Sequence, residues 1–359
     1  MSSAKVTRAP GRFLFVTWSG GGNVNPLLAL GARLVVRGHV VRVLGPADLG
    51  ERFLAEGMRY IARNAAAADV IDEVRRGPTD AVVVDYMLPQ ALAGAESTGI
   101  PVAAFVHTLY QRVALAARSP MHMSTDVTGI NALRRELGLG AVERLTDLLS
   151  RAARVVIVTA PELDRPEAPL PANVRYVDPI VEEPGPDATW RPAGNAPLVV
   201  VSLGTTPMNE APVLQRVLLA LAGFPVQVYA TIGSHIDAAG FDTPPNAVVA
   251  RYVRHSAMLP HARLLVTHAG LGSVGAALTF GVPMVCVPLG REQPDNAAHV
   301  EALGAGVALP SDVDPAGFGA AVRTVLEEPR FVERARAMAH TIATRGRGQR
   351  AVETLEELV

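Results

Sequence analysis

The chain has 359 residues, of which 49% are hydrophobic and 19% are charged, which is enough to form two domain cores of ordinary size. Its 33 basic and 34 acidic residues leave a net charge of −1, which argues against nucleic acid as a partner. The single cysteine, Cys286, excludes an internal disulfide and a cysteine-based zinc site. No apolar run reaches the roughly 18 residues of a membrane span, and residues 1–12 lack the apolar core of a signal peptide, so we expect a cytoplasmic protein without a membrane span.

The first half of the chain alternates between strand and helix patterns. Buried strands are predicted at 12–18, 40–44, 81–84, 102–106, 155–158 and 174–177, and helical patterns lie between most of them. This alternation predicts a parallel sheet with helices on both faces. Residues 108–150 lack a regular strand period, and we expect them to form helices and loops over the ligand side of this first domain.

The second half repeats the same kind of pattern after a break. Residues 182–197 contain four prolines and two glycines, which is typical of an interdomain linker. Strands are then predicted at 198–203, 226–232, 247–253, 264–267, 282–289 and 307–309, with helices at 210–222, 315–327 and 330–358. We expect the last helix to pack back across the first domain.

The block 264–304 carries the clearest chemical pattern. Its first strand ends in a turn, residues 268–273, in which Gly270 and Gly272 open onto a helix, and its second strand ends in a polar loop at 290–296. Ligands of parallel sheets bind beyond the carboxyl ends of the strands. Amides at a helix N-terminus bind phosphate, to which His268 could donate. Beyond the second strand, Glu292 and Gln293 suit a ligand with neighbouring hydroxyls, such as a sugar.

The order and spacing of this block resemble the donor signature of nucleotide-sugar-dependent glycosyltransferases. That family contains the plant UDP-glycosyltransferases and the bacterial antibiotic glycosyltransferases, and its GT-B fold has two Rossmann-like domains that face each other across a cleft. The resemblance extends to residues 202–205, to residues 252–260 and to the opening strand, loop and helix. It implies an acceptor-binding domain at 1–181, a linker at 182–197, a nucleotide-sugar-binding domain at 198–330 and closing helices at 331–359.

The resemblance also implies roles for single residues in binding the donor. The diphosphate would be held by His268, Gly270, Gly272, Ser273 and Thr205, the nucleobase by Tyr252 and the backbone of Val253, and the sugar hydroxyls by Glu292 and Gln293. Many members carry a ribose-binding glutamate where this chain has Ala276, so UDP and dTDP both stay open as the nucleotide. No metal and no other cofactor is expected, because the leaving diphosphate would be stabilised by amides, Ser273 and His268.

The first domain departs from the family pattern at its catalytic base. Members commonly have a histidine in the first loop, where this chain has Asn23, and an amide cannot take up a proton at neutral pH. The aspartate that orients that histidine is retained as Asp85, and the next strand ends at His107. Three mechanisms follow: His107 is a relocated base, Asp85 is itself the base, or the acceptor is acidic enough to need none.

These observations predict an inverting, metal-independent glycosyltransferase. The donor would be a UDP- or dTDP-sugar and the acceptor a small, mostly apolar natural product, with O-glycosylation favoured and C- or N-glycosylation compatible with Asn23. The alternatives are a catalytically silent sugar-nucleotide-binding auxiliary protein and a GT-B sugar-nucleotide epimerase. The sequence is also compatible with a homodimer. His122, Asp126 and His255 are lesser candidates, which we interpret as loop or surface residues.

Overall fold

The computed structural model describes residues 9–111, 126–167, 169–204, 207–233 and 236–359. In these residues the alternating pattern forms two separate parallel sheets with helices around them, as the sequence predicts. The strands are buried because they are short, continuous apolar runs covered by helices on both faces.

The first sheet has seven strands in the order β3-β2-β1-β4-β5-β6-β7, and all neighbouring strands are parallel. Its strands are β1 Arg12–Val16, β2 Val40–Gly45, β3 Arg59–Ala62, β4 Ala81–Asp85, β5 Val102–Val106, β6 Arg154–Ile157 and β7 Val174–Tyr176. The described helices of this half are α1 Val24–Val36, α2 Gly50–Ala55, α3 Ala67–Arg76, α4 Pro89–Ser97, α5 Thr128–Glu136, α6 Asp147–Arg151 and α7 Pro161–Asp164. The sequence did not predict β3, because this edge strand is four residues long and none of them is fully buried.

The second sheet has six strands in the order β10-β9-β8-β11-β12-β13, again all parallel. Its strands are β8 Leu198–Ser202, β9 Gln227–Thr231, β10 Ala247–Ala250, β11 Ala262–Thr267, β12 Met284–Cys286 and β13 Gly306–Ala308. The helices are α8 Ala211–Leu221, α9 His255–Met258, α10 Leu271–Phe280, α11 Gln293–Leu303, α12 Pro315–Glu327, α13 Pro329–Thr344 and α14 Gln349–Glu356. The reversal of strand order between β8 and β11 places the β8 and β11 loops beside each other, where a ligand crevice is expected.

The expectation for residues 108–150 is wrong for residues 126–150, which do not cover the ligand side of the first domain, while residues 112–125 lie outside the described residues. Ile130, Val142, Leu145 and Leu148 pack into the core that contains β4, β5 and α4. Helix α5 is fixed there by the buried guanidinium of Arg134, which forms a two-pronged ion pair with Glu96 of α4. This segment therefore supports the sheet from the helix side.

The closing segment is two helices and not the single helix predicted for 330–358. The chain turns between α13 and α14, where Gly346, Arg347 and Gly348 all have positive φ angles. Helix α13 packs on α10 of the second domain, while Val352 and Leu355 of α14 are buried in the core of the first domain. The predicted return of the chain to the first domain is thus confirmed, with the turn placed at the domain boundary.

The linker at 182–197 lies along the second domain and contains one short 3-10 helix, Gly185–Thr189. Trp190 packs edge-on against Tyr229 with ring centroids 5.1 Å apart, and Asp187 accepts a hydrogen bond from the Arg254 amide at 3.0 Å. The division of roles between an acceptor domain and a donor domain stays a prediction. In the described part of the chain, no helix is long and apolar enough to cross a membrane.

Candidate active site

A cleft of about 430 Å³ lies where the carboxyl ends of the two sheets face each other. One wall comes from the loops that follow β1, β4, β5, β6 and β7, and the other from the loops that follow β8, β9, β10, β11 and β12. The predicted site residues that line it are Asn23, His107, Tyr252, Val253, His268, Gly270, Gly272, Ser273, Glu292 and Gln293. The structure therefore brings the predicted catalytic and donor-binding residues to one place.

Asp85 lies beneath the surface of this cleft, at the end of β4, and its side chain is 0% exposed. Oδ2 accepts hydrogen bonds from Trp18 Nε1 at 3.1 Å and from Asn23 Nδ2 at 2.9 Å. Oδ1 accepts from the Met87 amide at 3.0 Å and lies 3.2 Å from Nε2 of His107. A carboxylate offers about four acceptor positions, so this group is fully hydrogen-bonded.

Asn23 is also buried, and its amide nitrogen serves the same cluster. Besides Asp85, Nδ2 reaches the Trp18 carbonyl at 2.9 Å and Thr17 Oγ1 at 3.3 Å. These three acceptors fix the orientation of the side-chain amide, so Asn23 acts here as a donor that links the first loop to β4. The sequence predicted the retained aspartate, but it did not indicate that Trp18 donates a hydrogen bond to Asp85.

His107 stands at the end of β5 with its ring edge toward Tyr86, at a centroid distance of 5.2 Å. Because Nε2 contacts Asp85, the other ring nitrogen, Nδ1, is left for the cleft, and it makes no hydrogen bond to another described residue. The imidazole is thus oriented by a carboxylate on one side and open on the other, which is the arrangement of a general base.

The opposite wall is built on the turn between β11 and α10. Ala269 adopts a left-handed conformation with φ 64°, and its amide donates to Thr267 Oγ1 at 3.3 Å. Helix α10 then begins after Gly270 without a side-chain cap, so its first amides have no capping partner. Together with Ser273 in the first turn, these amides form a binding site for an anion such as a diphosphate.

The ring of His268 lies beside this helix end, in space that two glycines leave free. A Cβ at Gly270 would lie 2.5 Å from Nε2 of His268, and a Cβ at Gly204 would lie 3.1 Å from the same atom. Burial lowers the pKa of His268, so the ring is neutral at pH 7 and can still donate one N–H. The two glycines are therefore required for the position of the ring as well as for the turn.

His255 was interpreted as a loop or surface residue, and that interpretation is wrong. It opens α9 and lines the cleft, where Nε2 lies 3.1 Å from Ser202 Oγ. Burial lowers its pKa to about 4, with a further contribution from His268. The sequence showed only a polar residue after a strand, and nothing in its spacing indicated that the ring turns inward.

The loop after β12 is held by amide side chains. Gln293 is 2% exposed, and its Oε1 accepts from the Leu289 amide at 2.8 Å and the Gly290 amide at 3.2 Å. Asn296, one turn later on α11, donates to the Ala269 carbonyl at 2.8 Å and so ties this helix to the β11 turn. Glu292 precedes α11 without capping it and lines the cleft.

The remaining candidates fall outside the centre of the cleft or outside the described residues. The hydroxyl of Tyr252 donates to Glu182 of the linker at 2.8 Å, while its ring is 49% exposed and borders the cleft. Asp126 lies two residues before α5 and accepts from the Thr128 amide at 2.8 Å, as expected of a loop residue. Thr205 and His122 lie outside the described residues. In the described ranges, no three histidine, cysteine, aspartate or glutamate side chains are grouped so that they could hold a metal ion.

Comparison with known proteins identifies the family. The family model described as "UDP-glucoronosyl and UDP-glucosyl transferase" matches residues 138–343, more than half of the chain. The chain belongs to this family. It is therefore an enzyme, a glycosyltransferase of GT-B fold, and its family uses nucleotide-sugar donors.

Individual relatives agree with this assignment. The chain is 29% identical to 4'-demethylrebeccamycin synthase of Lentzea aerocolonigenes over 97% of this chain and 99% of that protein. It is 29% identical to a PGL/p-HBAD biosynthesis glycosyltransferase of Mycobacterium tuberculosis over 73% of this chain and 61% of that protein. The glycotransferase of kitacinnamycin superposes with a TM-score of 0.81 at 24% identity, covering 98% of this chain and 99% of that one. The calicheamicin glycosyltransferase CalG4 does so with 0.78 at 23%, covering 98% of each chain. These structural likenesses support the fold.

A methyl group at position 270 is expected to weaken nucleotide binding by this glycosyltransferase. In the Gly270→Ala variant the new Cβ would collide with the His268 ring. The ring would then have to move away from the N-terminus of α10. We expect the Kd for UDP or dTDP, measured by titration calorimetry, to rise by about 10-fold, the equivalent of one lost hydrogen bond. Gly223→Ala is the matched control, because a Cβ there meets no atom within 4 Å and Gly223 does not line the cleft. Equal affinities of the two variants would contradict the position given to His268.

The half-buried His255 is expected to make the glycosyltransferase less stable in acid. Its pKa is about 4 in the folded protein and about 6.5 in the unfolded chain, so between these values only the unfolded chain binds the proton. Stability therefore falls as the pH drops from about 6.5 to 4, by at most about 1.4 kcal/mol per pH unit. Urea unfolding at pH 7 and pH 5 should show a smaller difference for His255→Gln than for the wild type. The exposed His340→Gln serves as control, and an unchanged difference in His255→Gln would refute the assignment.

Proposed function

We propose that this glycosyltransferase is an inverting enzyme that transfers a sugar from a UDP- or dTDP-sugar to a small, mostly apolar natural product. One observation carries the proposal: a single cleft holds an uncapped helix N-terminus on one wall and a carboxylate-oriented histidine on the other. The first would bind the leaving diphosphate and the second would activate the acceptor. The name of the relative 4'-demethylrebeccamycin synthase supports a role in natural-product biosynthesis.

The first-domain wall of the cleft suits an apolar acceptor. It combines the partly exposed ring of Trp18 with Met87, Val158 and Ile180 around His107. Apolar walls with a few fixed polar groups are typical of small-molecule sites. An acceptor with one nucleophilic group on an apolar skeleton would bury that skeleton here and present the group to His107.

Among the three mechanisms, the geometry favours His107 as the base. Asp85 has no exposed surface, does not line the cleft, and its acceptor positions are filled by four donors. It can orient His107, but an acceptor in the cleft cannot reach it. His107 Nδ1 would take the proton from the acceptor as the acceptor's nucleophilic atom forms a bond to the anomeric carbon.

The bond between the anomeric carbon and the diphosphate breaks on the opposite side of the sugar. The electron pair goes to the diphosphate oxygen, and the developing charge would be stabilised by the α10 amides and the Ser273 hydroxyl. Neutral His268 would add one N–H donor. A displacement of this kind inverts the configuration at the anomeric carbon, and it needs no group beyond these residues.

A second candidate function is a catalytically silent sugar-nucleotide-binding protein, and Asn23 is the observation that favours it. The amide stands where most members are expected to have the base, and it is buried and tied to Asp85. His107 weighs against this candidate, because a silent protein has no need of an oriented imidazole at the cleft. The epimerase alternative needs several carboxylates around the sugar, and the described lining residues supply only Glu182 and Glu292.

Turnover decides between these functions. With UDP- and dTDP-hexoses and panels of phenolic and polyketide aglycones, we expect mass spectrometry to show a hexose gain on the aglycone and the opposite anomeric configuration in the product. Release of the nucleotide should match the product in amount. Nucleotide binding without transfer or hydrolysis across these panels would instead establish the silent protein.

Removal of the base is expected to lower kcat far more than it changes KM for the donor. General bases contribute about 10²- to 10⁴-fold, so His107→Ala should lose about that factor with an alcohol acceptor and less with an acidic phenol. The exposed His340→Ala is the matched control. In the Asn23→His/His107→Ala double variant, a partial return of activity would show that Asp85 can serve either ring. Full rates in both His107→Ala and Asp85→Asn would mean that neither residue is the base.

A further inference from the structure

The indole of Trp18 has fixed contacts on both of its rings. In the five-membered ring, Nε1 donates to Asp85 Oδ2 at 3.1 Å, and the amide of Asn23 donates to the same oxygen at 2.9 Å. The six-membered ring lies against the backbone of Gly20, where a Cβ would be 2.6 Å from Cζ2 and 2.8 Å from Cη2. The position of the indole therefore depends on the absence of a side chain at residue 20.

The hydrogen bond from Trp18 to Asp85 bears on the orientation of His107. Oδ1 of Asp85 lies 3.2 Å from Nε2 of His107, while Oδ2 accepts from Trp18 and Asn23. Rotation of the carboxylate about its Cβ–Cγ bond would break both hydrogen bonds to Oδ2, so these two donors keep Oδ1 directed at the imidazole. Trp18 thus acts on His107 through the carboxylate.

Part of the Trp18 ring is also exposed to the cleft. Among the described first-domain residues that line the cleft, Trp18 is the only phenylalanine, tyrosine or tryptophan. A flat ring with a fixed orientation stacks on another unsaturated ring at little cost in conformational entropy. An acceptor that carries its nucleophilic group on such a ring would be held beside Nδ1 of His107, because Trp18 and His107 line the same wall.

We propose that Trp18 is a positioning residue that links recognition of the acceptor to orientation of the base. Its N–H holds Asp85 and, through it, His107, while its ring stacks on an unsaturated ring of the acceptor. This inference rests on the proposed function, since it assumes that His107 takes a proton from an acceptor in the cleft. The two contributions are separable, because one belongs to a single N–H and the other to the ring surface.

The first test separates these contributions by substitution. Trp18→Phe keeps a flat ring without the N–H, so kcat with an alcohol acceptor should fall by about 10- to 100-fold while the acceptor KM changes by less than about threefold. The loss should be smaller with an acidic phenol, which needs less help from a base. Trp18→Gln keeps an N–H donor without the ring, so it should raise the acceptor KM and retain more of kcat than Trp18→Leu. Trp190→Phe, which replaces the other tryptophan of the chain, is the matched control and should leave both constants unchanged.

The second test observes the acceptor contact without turnover. In Trp190→Phe, Trp18 is the only tryptophan left in the chain, so tryptophan fluorescence reports on this ring alone. We expect a saturable change in emission when an unsaturated acceptor is added, and a much smaller one with UDP or dTDP alone. Gly20→Ala, whose Cβ would displace the indole, should lower kcat and raise the acceptor KM together, and it replaces Trp18→Phe if that variant does not fold. Gly223→Ala is its control, because a Cβ there meets no atom within 4 Å.

The outcomes distinguish this inference from the proposed function. An unchanged kcat in Trp18→Phe, or an equal loss with alcohol and phenol acceptors, would overturn the role of the N–H. Constant Trp18 emission at acceptor concentrations above the KM would overturn the contact with the ring. In both cases transfer and the effect of His107→Ala would remain. Absence of transfer by the wild type, or a full rate in His107→Ala, would overturn the proposed function, and this inference with it.

Discussion

A buried carboxylate at the end of β4 organises the first-domain wall of the cleft. Asp85 has no contact with solvent, and a buried charge is tolerated only where it is fully hydrogen-bonded. Its donors come from three different stretches of chain: Trp18 and Asn23 from the loop after β1, Met87 from its own loop, and His107 from the end of β5. The hydrogen bonds to Asp85 thus hold the loops of the first-domain wall together, and they also orient the His107 ring that faces the cleft.

The second-domain wall of the cleft relies on the neutral amide side chains of Gln293 and Asn296 in a comparable way. Gln293 accepts a hydrogen bond from a backbone amide of the loop after β12, and Asn296 donates one to a backbone carbonyl of the loop after β11. These bonds hold the two loops at a fixed distance. The sequence motif assigns Gln293 to the ligand, but its side chain is hydrogen-bonded to the protein's own backbone. Besides backbone amides, this wall presents to the cleft the Ser273 hydroxyl, the Met208 thioether and the imidazoles of His255 and His268.

Both sheets and the place of the site were predictable from sequence, because buried parallel strands are continuous apolar runs and their ends meet at one edge. The rest depended on tertiary contacts. β3 is a short, half-exposed edge strand. The break between α13 and α14 is set by three positive-φ residues, one of them Arg347. Residues 126–150 lack a regular strand period, and their position is set by tertiary contacts: apolar side chains that enter the core beside α4 and the Arg134–Glu96 ion pair. No residue pattern around His255 predicts that its ring faces the cleft.

Asn23 stands where the family commonly has a histidine, and His107, the base proposed here, keeps the support of Asp85. The amide of Asn23 still donates to Asp85, as an imidazole at that position would, so the carboxylate keeps a partner on the first loop. His107 then becomes the one ionisable side chain among the described first-domain residues that line the cleft ahead of the linker. If His107 is the base, as proposed, an acceptor that gives up its proton has to bring its nucleophilic atom to the end of β5. The strand that carries His107 would then limit where on an acceptor the nucleophile can lie.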